Sequence, residues 1–294
     1  RIVPVFALLA CSVSAQAATV GAVVDGVQMP AWVERNGQRT PLAPGQSLLP
    51  SDRVVTGDNA KLLVRMPEGS LLRLGEKANL NIGDMAESRS DGQRLVSATL
   101  DVLRGAFRYT TQVGSGYQGR RNVSIRVSAV TAGIRGTDVW GRSTDAQDLV
   151  CLLEGRISVR HEKQEFVMDE PLQFFIAPRN EKPKPVGKVP QKQIDEWSLE
   201  TEITEGQGAT RAGGRLRVEV ARMADQQAAQ ALEARLKTAG YPAVIDPIPG
   251  GQYAVCVLGI ATAKDRDALA ARLKGVVSGA APSAPSVPSA PKRY

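Results

Sequence analysis

The chain has 294 residues, 43% hydrophobic and 23% charged, the balance of ordinary globular material, with room for about two domains at roughly 100–200 residues each. Aromatic residues make up only 4% and there are three cysteines, which argues against a rich stacking surface for sugars or bases and against a disulfide framework. The formal charge of +7 favours anionic partners, yet lysine and arginine are dispersed rather than gathered in a block, as on solvated faces.

Residues 1–17, RIVPVFALLACSVSAQA, start on a basic residue, continue through an apolar core and end on Ala15-Gln16-Ala17. That is the pattern of a secretory signal peptide cleaved after Ala17, and the apolar run is too short for a stable membrane span. Leu8-Leu9-Ala10-Cys11 also fits a lipoprotein box, in which Cys11 would carry a lipid anchor. The apolar core continues past Cys11 to the Ala-x-Ala site, so simple export to the periplasm is the first expectation. No later stretch is apolar for the ~18 residues a transmembrane helix takes, so no transmembrane segment is expected in the mature protein.

Residues 18–177 alternate apolar and polar positions in short runs, among them Lys61–Met66, Ala78–Ile82, Ala98–Leu103, Phe107–Thr111, Val123–Val127 and Leu149–Leu153. Turn signals such as Asn36-Gly37, Glu68-Gly69, Asp91-Gly92 and Glu154-Gly155 separate them. Many short strands at this spacing predict an all-β sandwich, barrel or irregular solenoid. The segment VTAGIRGTDVWG, 130–141, stands out within it. Gly133 and Gly136 permit close backbone approach or positive φ. Arg135, Thr137 and Asp138 add a charge, a hydroxyl and a carboxylate that hydrogen-bond locally. The segment reads as a hydrogen-bonded corner joining strands or as a ligand-contacting loop.

Residues 178–214 read as a linker. Lys182-Pro183-Lys184-Pro185 is extended, Gln191–Ile203 is a short helix candidate pinned by Ile194, Trp197 and Ile203, and Gly206–Gly214 is expected to be flexible. Residues 215–278 then change character. A strand at Leu216–Ala221 precedes a helix over Gln226–Ala239, capped by Asp225, with Ala228, Ala229, Leu232 and Leu236 on one face. Strands at Ala243–Asp246 and Tyr253–Leu258 flank a Pro249-Gly250-Gly251 turn, and a helix follows at Ala263–Leu273. The order is βαββα, a small α+β unit. The tail 279–294, GAAPSAPSVPSAPKRY, has no core-forming content and is expected to be disordered.

No P-loop, nucleophile elbow or metal motif appears. His161 lacks Cys or His neighbours at ligand spacing, so neither a metal nor a cofactor is expected. Asp52, Asp138 and Glu154 occupy turn-like positions, and nothing sets two of them across a cleft as an acid pair, so no enzyme is expected.

Two resemblances follow from ordered motifs. Ser51–Gly57 (SDRVVTG), Glu68–Leu74 (EGSLLRL), Leu103–Arg108 (LRGAFR), Thr131–Asp138 (TAGIRGTD) and Leu153–Val159 (LEGRISV) resemble the FecR domain, a periplasmic module. That resemblance implies an all-β fold with solenoid-like twisted strands. The family's sigma-regulating members carry a cytoplasmic helical segment and a membrane span; the chain is more similar to exported members fused to cell-wall modules. Arg217–Ala221 (RVEVA), Ala228–Tyr241 (AAQALEARLKTAGY) and Tyr253–Gly259 (YAVCVLG) resemble the SPOR domain, which implies binding to peptidoglycan glycan strands that lack stem peptides.

Strand alternation places Val218, Val220, Val255 and Val257 against the helices, and the glycan-binding candidates Arg217, Glu219, Ala254 and Cys256 on the open face. The SPOR family usually has glutamine where Glu219 stands and often a basic residue where Cys256 stands. The expected partners are glycan strands and an envelope protein. The alternative is a non-catalytic periplasmic signalling or interaction adaptor without glycan binding. Export and the lack of sheet aromatics count against nucleic acid.

Overall fold

The computed structural model describes residues 18–19, 21–90, 93–111, 117, 119–134 and 136–278. The expected signal peptide with Cys11, the Asp91-Gly92 turn, Arg135 and the tail 279–294 lie outside the described residues.

Among the described residues the chain forms 22 strands and three helices. The strands of the first region are β1 Ala18–Thr19, β2 Ala22–Gln28, β3 Ala31–Arg35, β4 Gln38–Pro41, β5 Ser47–Leu48, β6 Arg53–Thr56, β7 Lys61–Arg65, β8 Leu71–Leu74, β9 Asn79–Ser90 and β10 Gln93–Thr110. They continue as β11 Arg120–Val127, β12 Val130–Ile134, β13 Asp138–Ser143, β14 Gln147–Glu154, β15 Ile157–His161, β16 Gln164–Met168, β17 Gln173–Pro178 and β18 Gly187–Lys188. After helix α1, Gln191–Leu199, come β19 Ala209–Arg211, β20 Leu216–Met223, α2 Gln226–Thr238, β21 Ala243–Ile248, β22 Gln252–Ile260 and α3 Ala263–Val277.

The first region is two sheets face to face. One runs β4-β3-β6-β9-β10-β11-β12-β15-β16, with β10–β11 parallel and its other neighbours antiparallel. The other is antiparallel and runs β2-β7-β8-β10-β13-β14-β17-β18. The chain passes repeatedly from one sheet to the other, so a solenoid-like winding produces a layered sandwich. Its core draws on both sheets, with Leu80, Leu100, Ile125 and Val159 from the first and Leu62, Leu74, Phe107 and Tyr109 from the second. Each such fully buried side chain stabilises the fold by about 1.5–3 kcal/mol relative to exposure.

Strand β10 belongs to both sheets. Leu95–Val102 pairs with β11 in the first, and Gly105–Thr110 pairs with β13 in the second. Its sequence shows two separate alternating runs, Ala98–Leu103 and Phe107–Thr111. The intervening Gly105 bends the strand without ending it. Its φ is +90°, and a Cβ there would stand 2.5 Å from the Ala78 Cα, so only glycine fits.

The second region has the order β20-α2-β21-β22-α3, with β22 central in an antiparallel sheet between β20 and β21. The Asp225 side chain accepts the Gln227 N–H and caps α2. Ala229, Leu232, Leu236, Leu269 and Leu273 bury the helices on one sheet face, while Ala228, expected inward, is exposed. The last helix, expected over Ala263–Leu273, runs on to Val277, because Val276 continues its buried stripe.

The segment between the regions is built into both. Gly206–Gly214, expected to be flexible, contains β19, which pairs with β2 and through Thr210 with Ile260 of β22. Buried Asp265 accepts the N–H groups of Gly206, Gly208 and Ala209 at 2.9, 3.0 and 3.3 Å. Trp32 of the sandwich donates to the Thr238 carbonyl at 3.2 Å, and Arg272 of α3 donates to the Met29 carbonyl at 2.9 Å. Helix α1 covers the outer side of the second sandwich sheet. Its Trp197 ring stacks on Trp140 at 4.8 Å, Ile194 is buried, and Lys61 donates to the carbonyls of Leu199 and Glu202, both at 2.6 Å.

Candidate functional site: the open face of the C-terminal sheet

The helices cover one face of the C-terminal sheet, and the opposite face is lined by polar side chains. Glu219, Cys256 and Val244 are register neighbours across it, as are Arg222, Ala254 and Asp246. Val218, Val257 and Ala243 form the matching row on the helix-covered side. A bulge between Glu219 and Ala221 shifts the parity and brings Arg222 onto the same side as Glu219.

Two ion pairs lie over this face. Arg217 Nη1 reaches Asp246 Oδ2 at 2.9 Å and so spans the central strand, and Arg222 holds the Glu219 carboxylate with two contacts of 3.2 Å. Ala254 and Cys256, expected to point outward, sit on this side but have no exposed surface. The short side chains are covered by the long ones of neighbouring strands. Burial pushes the Cys256 thiol up; nearby Arg217 opposes this, and Asp246 and Glu219 add to it. Arg217 and Asp246 are 51% and 40% exposed, so their pair is screened by water and contributes on the order of 0–1 kcal/mol. A ligand that offers better partners can open it at small cost.

At one end of the face a cavity of about 700 Å³ separates the sheet from the sandwich. Val244 and Leu258 line it from the sheet, Pro44 and Gln46 from the sandwich, and Arg211 and Lys237 are its charged groups. A second cleft, about 790 Å³, lies between α1 and the second sandwich sheet, where burial raises the Glu200 carboxyl and Arg142 pairs with it at 2.6 Å. Neither cleft was legible in the sequence, because residues far apart in the chain build both. The proline and glycine content of Pro41–Gly45 was the only local hint of the first.

The 130–141 segment passes from one sandwich sheet to the other. Gly133 of β12 pairs with Ser158 of β15, Gly136 has φ +68°, and Thr137 and Asp138 are buried. A Cβ at Gly155 would stand 2.4 Å from the Gly136 carbonyl, so this corner and the Glu154-Gly155 turn pack directly on each other. Arg108 holds the Asp138 carboxylate in a bidentate pair at 2.9 and 2.6 Å, and Thr111 donates its N–H to the Thr137 carbonyl at 2.9 Å. Asp52 is likewise held by Arg35 at 2.7 and 2.6 Å. His161 Nδ1 lies 3.2 Å from the Ala129 carbonyl oxygen. The open sheet face thus brings Arg217, Glu219, Ala254 and Cys256 together, while Gly133, Gly136, Thr137 and Asp138 form a separate corner in which Gly136 is exposed and Asp138 borders a cleft of about 500 Å³ against α1.

The family described as "FecR protein" matches residues 52–158, and the family described as "SPOR domain" matches residues 212–284. The comparison with curated proteins gave no match. Among solved structures, the chain is similar to two crystal structures of a "putative anti-sigma factor" from Parabacteroides distasonis ATCC 8503. Identity is 10% and 11%, each alignment covers 62% of this chain and 72% or 73% of the other, and the TM-score is 0.38 in both. That score is too low to carry a conclusion. The first match lies within the β-sandwich and the second takes in the βαββα unit: the chain carries a FecR domain followed by a C-terminal SPOR domain.

Proposed function

We propose that this is a non-enzymatic protein of the cell envelope, exported to the periplasm, that binds peptidoglycan glycan strands through its SPOR domain and an envelope protein through its FecR domain. The observation that carries the reading is the SPOR match on a sheet with one face covered by helices and the other lined by exposed arginines and carboxylates. At the best-marked motif of the sandwich, Asp138 is already held by Arg108. The sandwich serves as the scaffold and partner-binding module. Among the described residues no helix is long and apolar enough to cross a membrane.

A second reading, an interaction adaptor without glycan binding, is favoured by Glu219, which stands with its carboxylate on the proposed glycan face and is held there by Arg222. Co-sedimentation of the full chain with purified sacculi, before and after enzymatic removal of stem peptides, separates the two. Glycan binding gives a pelleted fraction that rises on removal of the peptides. A chain left in the supernatant with both preparations supports the adaptor.

A further inference from the structure

We infer that the glycan site extends beyond the SPOR sheet into the groove between that sheet and the sandwich, so that the FecR domain supplies part of the binding surface for the same strand. This rests on the glycan-binding reading above. The groove continues the open face: Val244 is the register neighbour of Cys256, and Leu258, 44% exposed, follows two residues later on β22. Its volume of about 700 Å³ lies within the range of roughly 300–1,000 Å³ usual for ligand sites.

Charge selects the occupant. Arg211 and Lys237 line the groove, and no aspartate or glutamate is among its described lining residues. A glycan strand stripped of stem peptides carries a free lactyl carboxylate on every second sugar, so it is a polyanion that complements such a groove. Among the described residues the Lys237 ammonium pairs with Glu233 one helical turn away, at 2.8 Å on the surface, a weak pair that leaves it available. Pro44, Val244 and Leu258 offer apolar surface to the C–H faces of the sugars. Both walls are fixed in place. On the sandwich side β4 pairs with β3, whose Trp32 is hydrogen-bonded to α2, and β19 ties β2 to β22.

Thr40 lines the groove from the sandwich, is exposed, and lies outside the SPOR match, so its substitution tests the shared site without touching the sheet. Binding of soluble, peptide-free glycan oligosaccharides to the full chain is measured for the wild type, Thr40→Glu and Thr40→Lys, with thermal unfolding as a check on the fold. The glutamate variant is expected to weaken binding about threefold or more, and the lysine variant to tighten it. Both effects should shrink as salt is raised. If the wild type binds and both variants bind equally, or both weaken, the shared groove is overturned while the SPOR reading stands. If the wild type itself does not bind, both are overturned.

Discussion

The FecR and SPOR domains differ in how deeply their arginine–carboxylate pairs are set. The sandwich carries exposed pairs such as Arg104–Asp145 and Arg160–Glu165, but it also buries the carboxylate of others. Asp148 has no exposed side-chain surface and receives Arg179 at 2.8 Å and Ser143 at 2.8 Å, and Asp52 is 1% exposed beneath Arg35. In the C-terminal sheet, Arg217–Asp246 and Arg222–Glu219 lie in water across an open face. Buried pairs fix architecture, because removing one partner strands a charge in a low-dielectric interior. Exposed pairs contribute little to stability and can be exchanged for a ligand. Under the proposed function, the exposed pairs of the C-terminal sheet are the ones a glycan would exchange.

The comparison can be broken first at Asp148. Replacing it with alanine leaves Arg179 and Ser143 without their shared acceptor, and the unfolding free energy should fall by about 3–5 kcal/mol in denaturant titration. A loss below about 1 kcal/mol would mean that the buried pair is not structural. Next is Trp197→Ala, which removes the ring that stacks on Trp140 and loosens α1. A loss of about 2 kcal/mol is expected, less than for a fully buried tryptophan because Trp197 is only partly buried.

The smallest stability effect belongs to Asp246→Ala, about 1 kcal/mol or less. Its informative readout is thiol chemistry. Cys151 is buried beneath the outer side of the second sandwich sheet, and desolvation pushes its thiol up to about 12. Cys256 is also buried, with Arg217, Asp246 and Glu219 near it. In the native wild type both should react slowly with a thiol reagent; in Asp246→Ala, Cys256 should react faster while Cys151 stays slow. Equal protection of Cys256 in the variant would show that the Arg217–Asp246 pair is not its cover.

Much of this was legible in the sequence and some was not, for identifiable reasons. The βαββα order could be read because each helix carries a 3.6-residue apolar stripe and a capping side chain, Asp225 at α2 and Thr262 at α3. The winding of the sandwich was only half legible. Gly105 looked like a break, and whether a glycine bends a strand or ends it depends on the neighbour, here Ala78, that fills the space beside it. The face assignment of Cys256 followed from alternation, but its burial did not, since it depends on side chains of the strands on either side. The junction was the least legible part. Gly206–Gly214 has linker composition, and its order comes from Asp265 and β2, neither of which is local.

The central claim, that recognition lives on the open SPOR face and not in the sealed sandwich interior, is tested most directly by a nuclear magnetic resonance titration of the full chain with peptide-free glycan oligosaccharides. The account predicts concentration-dependent shifts at the backbone amides of Arg217, Glu219, Cys256 and Leu258, with Trp140 and Asp148 unmoved. A titration that leaves the open face silent, or moves only the sandwich amides, would contradict it.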